Sequence, residues 1–196
     1  MPVPATNAQR FMARLATWPC CAAVTSGTGF EAALVSRVPI LFILRADGLE
    51  LEPLVRRIHD AGKLVAVHLD LVDGLRPDRS SVSWLRRAGV DAVISSRGQL
   101  MKSIQREGMV AIHRLLLVRH GLLESGFAAV TRSGADVVEV LPGAILPDVR
   151  ALLPPLRVPL LAGGFIRTRA DAMAVLAAGA AGVTTSSPEI WDADLA

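Results

Sequence analysis

The chain contains no tyrosine, only 4% aromatic residues and only two lysines among its 21 basic side chains. So few rings exclude an extended platform on which successive bases stack. The two cysteines, Cys20 and Cys21, are adjacent and have no third partner. That argues against a disulfide framework or a cysteine-based metal site, and both read as small core residues near the first strand. No apolar run reaches the ~18 residues of a membrane-crossing helix. No secretory leader pattern is evident, so the expected location is the cytoplasm and no membrane partner is expected. The nucleophile-elbow, P-loop and dinucleotide-binding glycine signatures are all missing. No His/Cys cluster has metal-ligand spacing.

What is present is apolar and regular. The 196 residues fit one domain, residues 1–196, and the 52% hydrophobic fraction comes mainly from Val, Leu, Ala and Ile. Such a core suits parallel strands buried on both faces. The net charge of +3 is mild, but 19 of the 21 basic residues are arginine. Arginine suits phosphate and nucleic acid. A genome-wide preference for arginine gives the same count, so composition leaves the partner open.

Strands and helices alternate at intervals of about 20–30 residues. An amphipathic helix over 7–17 precedes strands expected at 20–25, 39–44, 64–70, 92–96, 110–117, 137–141, 159–162 and 183–185. Helices are expected over 30–36, 49–61, 81–88, 99–107, 123–132, 147–153 and 168–178. Four of them stop at a glycine: Gly62, Gly89, Gly108 and Gly179. Eight such units favour closure into a (β/α)8 TIM-type barrel over an open sheet. The chain is short for that fold, so the barrel is expected to be compact with a truncated last helix. The N-terminal helix is expected to cover part of the surface that this truncation leaves bare.

The stretch 158–191 is the most informative. A short apolar strand runs into Gly163-Gly164, where bare backbone lets a ligand approach. Thr168 and Asp171 have the spacing of a helix N-cap and its box partner. A second strand ends at Thr185-Ser186, and Ser187-Pro188-Glu189 opens another helix with a serine cap. If these are strands seven and eight, they form the phosphate cradle of a barrel. Strand parity supplies further candidates at the carboxyl ends. His68 and Asp70 share the inward face of strand three, and Glu139 faces inward on strand six. Either His113 or Arg114 points inward on strand five, and parity does not separate them. An inward Arg114 could pair with Glu139 on the neighbouring strand, which is equally a structural role and a ligand-binding one.

Five blocks then carry a resemblance: VHLDLVDGL (67–75), DAVISSRGQLMKSIQREG (91–108), AIHRLLL (111–117), VVEVLPG (137–143) and LAGGFIRTRADAMAVLAAGAAGVTTSSPEIW (161–191). Together the chain from about Pro39 to Trp191 resembles the glycerol-3-phosphate-responsive antiterminator family, regulators of glycerol uptake operons. The resemblance implies a (β/α)8-type barrel without catalysis and without a cofactor. Its effector would be glycerol 3-phosphate, and its partner a leader mRNA read past a terminator when the effector is bound. Carried over, Gly163, Gly164, Thr185 and Ser186 would hold the phosphate. His68, Asp70 and Glu139 would face the glycerol hydroxyls, and Arg167, in the GGxIRT block, would reach the phosphate or secure its loop. Arg76, Arg79, Arg97, Arg119 and Arg167 follow strand ends and are the first candidates for RNA contact. The family often reads Ile-Gln-Arg in strand five and Arg-Asn at the end of strand one. Here those positions are Ile112-His113-Arg114 and Thr25-Ser26, which admits a related phosphate ester as ligand. A homo-oligomer is compatible with this reading. The alternative is a barrel isomerase or lyase acting on a small phosphorylated metabolite, with Asp70 and Glu139 as acid and base.

Overall fold

A computed structural model describes residues 6–25, 27–117, 123–153 and 155–195. Nine strands occur among them: β1 (Cys20–Thr25), β2 (Ile40–Asp47), β3 (Leu64–His68), β4 (Val72–Asp73), β5 (Ala92–Ser95), β6 (Val110–Leu116), β7 (Val137–Leu141), β8 (Leu160–Gly163) and β9 (Gly182–Thr185). All pairings are parallel. The order β1-β9-β8-β7-β6-β5-β3-β2 is closed by β1 pairing with β2, which makes an eight-stranded barrel. The two-residue β4 lies outside it, on the end of β2. β8 and β9 are therefore the seventh and eighth barrel strands.

Parity divides the apolar residues into two cores. Cys21, Ala23, Ile40, Phe42, Leu64, Ala66, Ala92, Ile94, Val110, Ile112, Val137 and Leu161 fill the barrel. Their strand neighbours, such as Ala22, Leu41, Val65, Val93, Ala111 and Val138, pack against the helices. Burial pushes the Cys20 thiol up to about 12, with Asp192 adding to the rise. Cys21 is likewise raised, first by burial. Neither thiol is a nucleophile at neutral pH.

The helices are α1 (Asn7–Thr17), α2 (Thr28–Val35), α3 (Gly48–Asp60), α4 (Arg79–Arg87), α5 (Met101–Arg106), α6 (Leu123–Ser133), α7 (Leu146–Val149), α8 (Arg169–Ala177) and α9 (Pro188–Trp191). Three expectations need correction. The N-terminal helix meets the truncated last helix through Trp18 at its C-cap, but its apolar face is directed elsewhere. The buried Phe11 and Leu15 of α1 join the core inside the barrel and plug its amino end. The expected helix over 147–153 is a four-residue α7 between two 3-10 turns. Strand three stops at His68, since Leu69–Leu71 turn into a 3-10 helix and take Asp70 off the strand.

The last helix is as short as expected, and Trp191 is why four residues hold their place. Its ring is 1% exposed, its Nε1 donates to Thr185 O (2.9 Å), and its own carbonyl accepts from Trp18 Nε1 (3.0 Å). Trp191 thus ties the end of β9 to α9 through its indole, and α9 to the segment before β1 through its carbonyl.

Candidate functional site

At the carboxyl end of the barrel four strands contribute one connected polar set. The β6–β7 register sets Arg114 beside Glu139, and the β8–β9 register sets Gly163 beside Thr184. Arg114 Nε donates to Glu139 Oε2 (2.8 Å), and Thr184 Oγ1 donates to Glu139 Oε1 (2.7 Å). Glu139 is 1% exposed, so its charge is tolerable only because both oxygens are engaged. Parity on strand five is settled by this pair. Arg114 points in, while His113 points out to Ser133 Oγ (3.0 Å) and the Ser96 carbonyl (3.3 Å).

Arg114 also reaches across the barrel to β3, with Nη1 3.4 and 3.3 Å from the two ring nitrogens of His68. A guanidinium has only donors, so it favours a neutral imidazole. Burial and the Arg114 charge push His68 down to about 4, against a weaker upward pull from Asp70. Asp70 accepts from Ser95 Oγ (2.6 Å), Ser96 N (2.8 Å) and Ser96 Oγ (2.7 Å). Burial alone would raise its pKa, but those hydrogen bonds outweigh it and hold the carboxylate below its usual range.

The sign of the His68 effect gives a prediction. Folded His68 resists protonation until about pH 4, whereas the unfolded residue takes its proton near 6.5. Stability at neutral pH is therefore lost as pH falls through that window, by roughly 3 kcal/mol. His113, also lowered by burial, adds to the same trend. Denaturant melts across this range should show the loss, and His68→Asn should flatten the slope without removing it.

Above this set lies a cavity of about 570 Å³, lined on one side by Arg114, Glu139 and Leu141 and on the other by residues 164–167 and 184–187 with Glu189. Of the candidates, Gly164, Thr185, Ser186, Arg114, Glu139 and Arg167 line it. His68 and Asp70 do not. They sit one contact behind, His68 against Arg114 and Asp70 against the end of β5. Gly163 does not line it either. A Cβ there would overlap Thr184 Oγ1 and come within 3.0 Å of Glu139 Oε1, so this glycine makes room for the buried hydrogen bond. Gly164 differs, with φ +83 and no close neighbour, and serves as a left-handed turn.

The two loops facing the cavity are clamped from behind. Thr185 Oγ1 donates to Ile166 O (2.7 Å) and accepts from Ser187 N (3.1 Å), which joins the ends of β8 and β9. The expected serine cap is absent. Ser187 makes no side-chain capping bond, and its amide donates to Thr185 Oγ1. The capping box does form: Thr168 Oγ1 accepts from Asp171 N (3.1 Å), and Asp171 Oδ2 accepts from Arg167 N and Thr168 N (both 2.9 Å). Those amides hold the exposed Asp171 carboxyl below its usual range. Among the described residues, the amides of Gly164, Phe165 and Ser186 donate to no protein acceptor. Three such donors around one cavity suit an anion.

Two residues of this mouth escaped sequence reasoning. Thr184 was open to it, since parity puts Thr184 and not Thr185 inside. Phe165 gave no signal. It is 69% exposed, has φ 59, and its ring lies 5.8 Å from the Arg167 guanidinium. A left-handed aromatic residue stores about 1–3 kcal/mol of strain. Phe165→Gly is expected to raise stability by about 0.5–1 kcal/mol, after the extra entropy of an unfolded glycine is subtracted. Chemical denaturation measures this directly.

Of the arginines named for RNA contact, Arg76, Arg79, Arg97 and Arg167 are exposed, and Arg119 lies outside the described residues, as does Ser26. No group of three or more metal-ligating side chains occurs among the described residues. None of the helices described is long and apolar enough to cross a membrane.

Fold and site together define a closed (β/α)8 barrel whose mouth carries backbone amides without protein acceptors and a buried arginine–carboxylate pair. The chain belongs to the glycerol-3-phosphate responsive antiterminator family, which matches residues 20–191. A glycerol uptake operon antiterminator regulatory protein from Listeria monocytogenes superimposes with a TM-score of 0.84 at 30% identity, covering 90% of this chain and 96% of that one. A related protein from Thermotoga maritima gives 0.79 at 27% identity, over 89% and 98%. The uncharacterised protein YgcP of Escherichia coli K12 is 27% identical over 174 residues, 88% of this chain and 91% of its own. A deoxyribose phosphate aldolase from Aeropyrum pernix, at 16% identity and a TM-score of 0.71, shares the fold alone.

Proposed function

We propose that this protein is a glycerol-3-phosphate-responsive transcription antiterminator that binds the leader mRNA of glycerol-utilisation genes when its barrel mouth is occupied. The three amides of Gly164, Phe165 and Ser186 at one cavity carry the reading. They would take the phosphate oxygens, with Arg167 at the rim. The glycerol hydroxyls would then face Arg114 and Glu139. His68 and Asp70 act through Arg114 and not by direct contact.

The same cradle would serve an enzyme of phosphate esters, but the mouth is poorly equipped for the chemistry of the aldolase neighbours. A Schiff base needs a lysine amine. Lys63 is tied to the carbonyls of Ser36 and Val38 (2.6 Å each) beside the amino end of β3, and Lys102 lies on α5 outside the barrel. Glu139, the alternative base, is already engaged by two donors.

Glycerol 3-phosphate at a hundredfold excess over its Kd should stabilise the fold by roughly 2.7 kcal/mol, a rise in Tm of about 5–10 °C. Glycerol or inorganic phosphate alone should give less. The ester should be recovered unchanged by NMR after prolonged incubation. No shift at any concentration would refute the effector assignment, and conversion of the ester would favour the enzyme.

A further inference from the structure

A second groove lies on the outer side of β6. It has a volume of about 480 Å³ and is lined by Ser96, Gln99, Lys102, His113, Arg132 and Ser133, with no carboxylate among its lining residues. Lys102 on α5 and Arg132 on α6 are both exposed, and neither has a hydrogen-bond or ion-pair partner among the described residues. Some exposed arginines are engaged, such as Arg45 with Asp73 and Arg57 with Glu31, and others, such as Arg76, Arg79 and Arg97, have no side-chain partner among the described residues; Lys102 and Arg132 differ in lining one polar groove together. Two free cations flanking a polar groove suit a polyanion more than a second protein's apolar face.

The groove also adjoins the ligand cavity through one chain of contacts. Arg114, which lines the cavity, touches His68 (3.3 Å), and His68 faces Asp70 (3.9 Å). Asp70 holds both the amide and the hydroxyl of Ser96, and the Ser96 carbonyl meets His113 in the groove wall (3.3 Å). A ligand drawing on Arg114 therefore acts on a chain that ends at Ser96 and His113. This gives His113, which the cavity does not use, a place at the junction.

We propose that the α5–α6 groove is the docking site for the RNA phosphate backbone, with Lys102 and Arg132 as its phosphate contacts. The inference rests on the regulator reading above and adds the surface through which it would act. Its test is the paired variant Lys102→Gln with Arg132→Gln. Binding would be followed by fluorescence polarisation on a labelled transcript of the leader preceding the source genome's glycerol-utilisation genes, at several salt concentrations with glycerol 3-phosphate present. Losing two phosphate contacts should weaken binding roughly tenfold and make the slope of log K against log salt shallower by about 1.4. The thermal shift from glycerol 3-phosphate should stay at its wild-type size, which also shows that the variant folds. The charge-reversed pair, Lys102→Glu with Arg132→Glu, should lose more. Wild-type affinity and slope in both pairs would overturn the groove assignment while leaving the regulator reading intact. A wild-type protein that binds glycerol 3-phosphate but no leader transcript would overturn the regulator reading and this inference together.

Discussion

Glu139→Ala should destabilise the protein by about 3–5 kcal/mol, the largest single effect we expect at the mouth. The substitution leaves Arg114 charged, with its side chain only 9% exposed, and without its carboxylate. It also deprives Thr184 of its acceptor (2.7 Å). Replacing both partners removes the unpaired charge, so Arg114→Leu with Glu139→Leu should recover most of that loss. Stability and function then separate. The double variant should fold yet show a markedly smaller thermal shift with glycerol 3-phosphate, because the groups assigned to the glycerol hydroxyls are gone while the phosphate amides remain. A double variant that responds like wild type would mean that the pair is structural and that the ligand lies elsewhere.

The second large effect is expected from Gly163→Ala. The backbone tolerates alanine there, since Gly163 is not among the positive-φ glycines. The added methyl would instead overlap Thr184 Oγ1 and crowd Glu139 Oε1 (3.0 Å). Thr184 can escape only by rotating off Glu139, so the cost combines overpacking with a buried acceptor left short of a donor, about 2–4 kcal/mol. Gly164→Ala has the opposite character. Nothing crowds its Cβ closer than 3.6 Å, but φ is +83 and an L-residue is strained there. It should cost about 1 kcal/mol and act on the ligand by tilting the amide that faces the cavity. Thermal melts of the two variants, each with and without glycerol 3-phosphate, distinguish these causes.

The two glycines also show how far the sequence can be read. Adjacent in sequence, they look like one feature, a bare turn for a phosphate. Only in three dimensions does Gly163 become a packing position defined by Thr184 on the neighbouring strand. The barrel itself was legible because its signals are local: short apolar runs, helix-stopping glycines, and the Thr168–Asp171 capping box formed as read. Parity likewise placed Glu139 inward on β7. It failed for Asp70, because the chain leaves the strand at Leu69 and alternation holds only along extended backbone. The choice between His113 and Arg114 needed the register with β7, a non-local fact. Phe165 was invisible because nothing in a sequence marks an aromatic residue held at φ 59.

Under the proposed function, occupancy of the mouth governs RNA binding. This coupling is tested most directly by titrating the wild-type protein against the leader transcript with and without saturating glycerol 3-phosphate, at one fixed salt concentration. Linkage requires each ligand to strengthen the other by the same factor, with typical couplings of about 5- to 150-fold. RNA should bind more tightly with the ester, and ester affinity should rise by the same factor when RNA is present. RNA affinity that is identical with and without glycerol 3-phosphate would contradict this coupling.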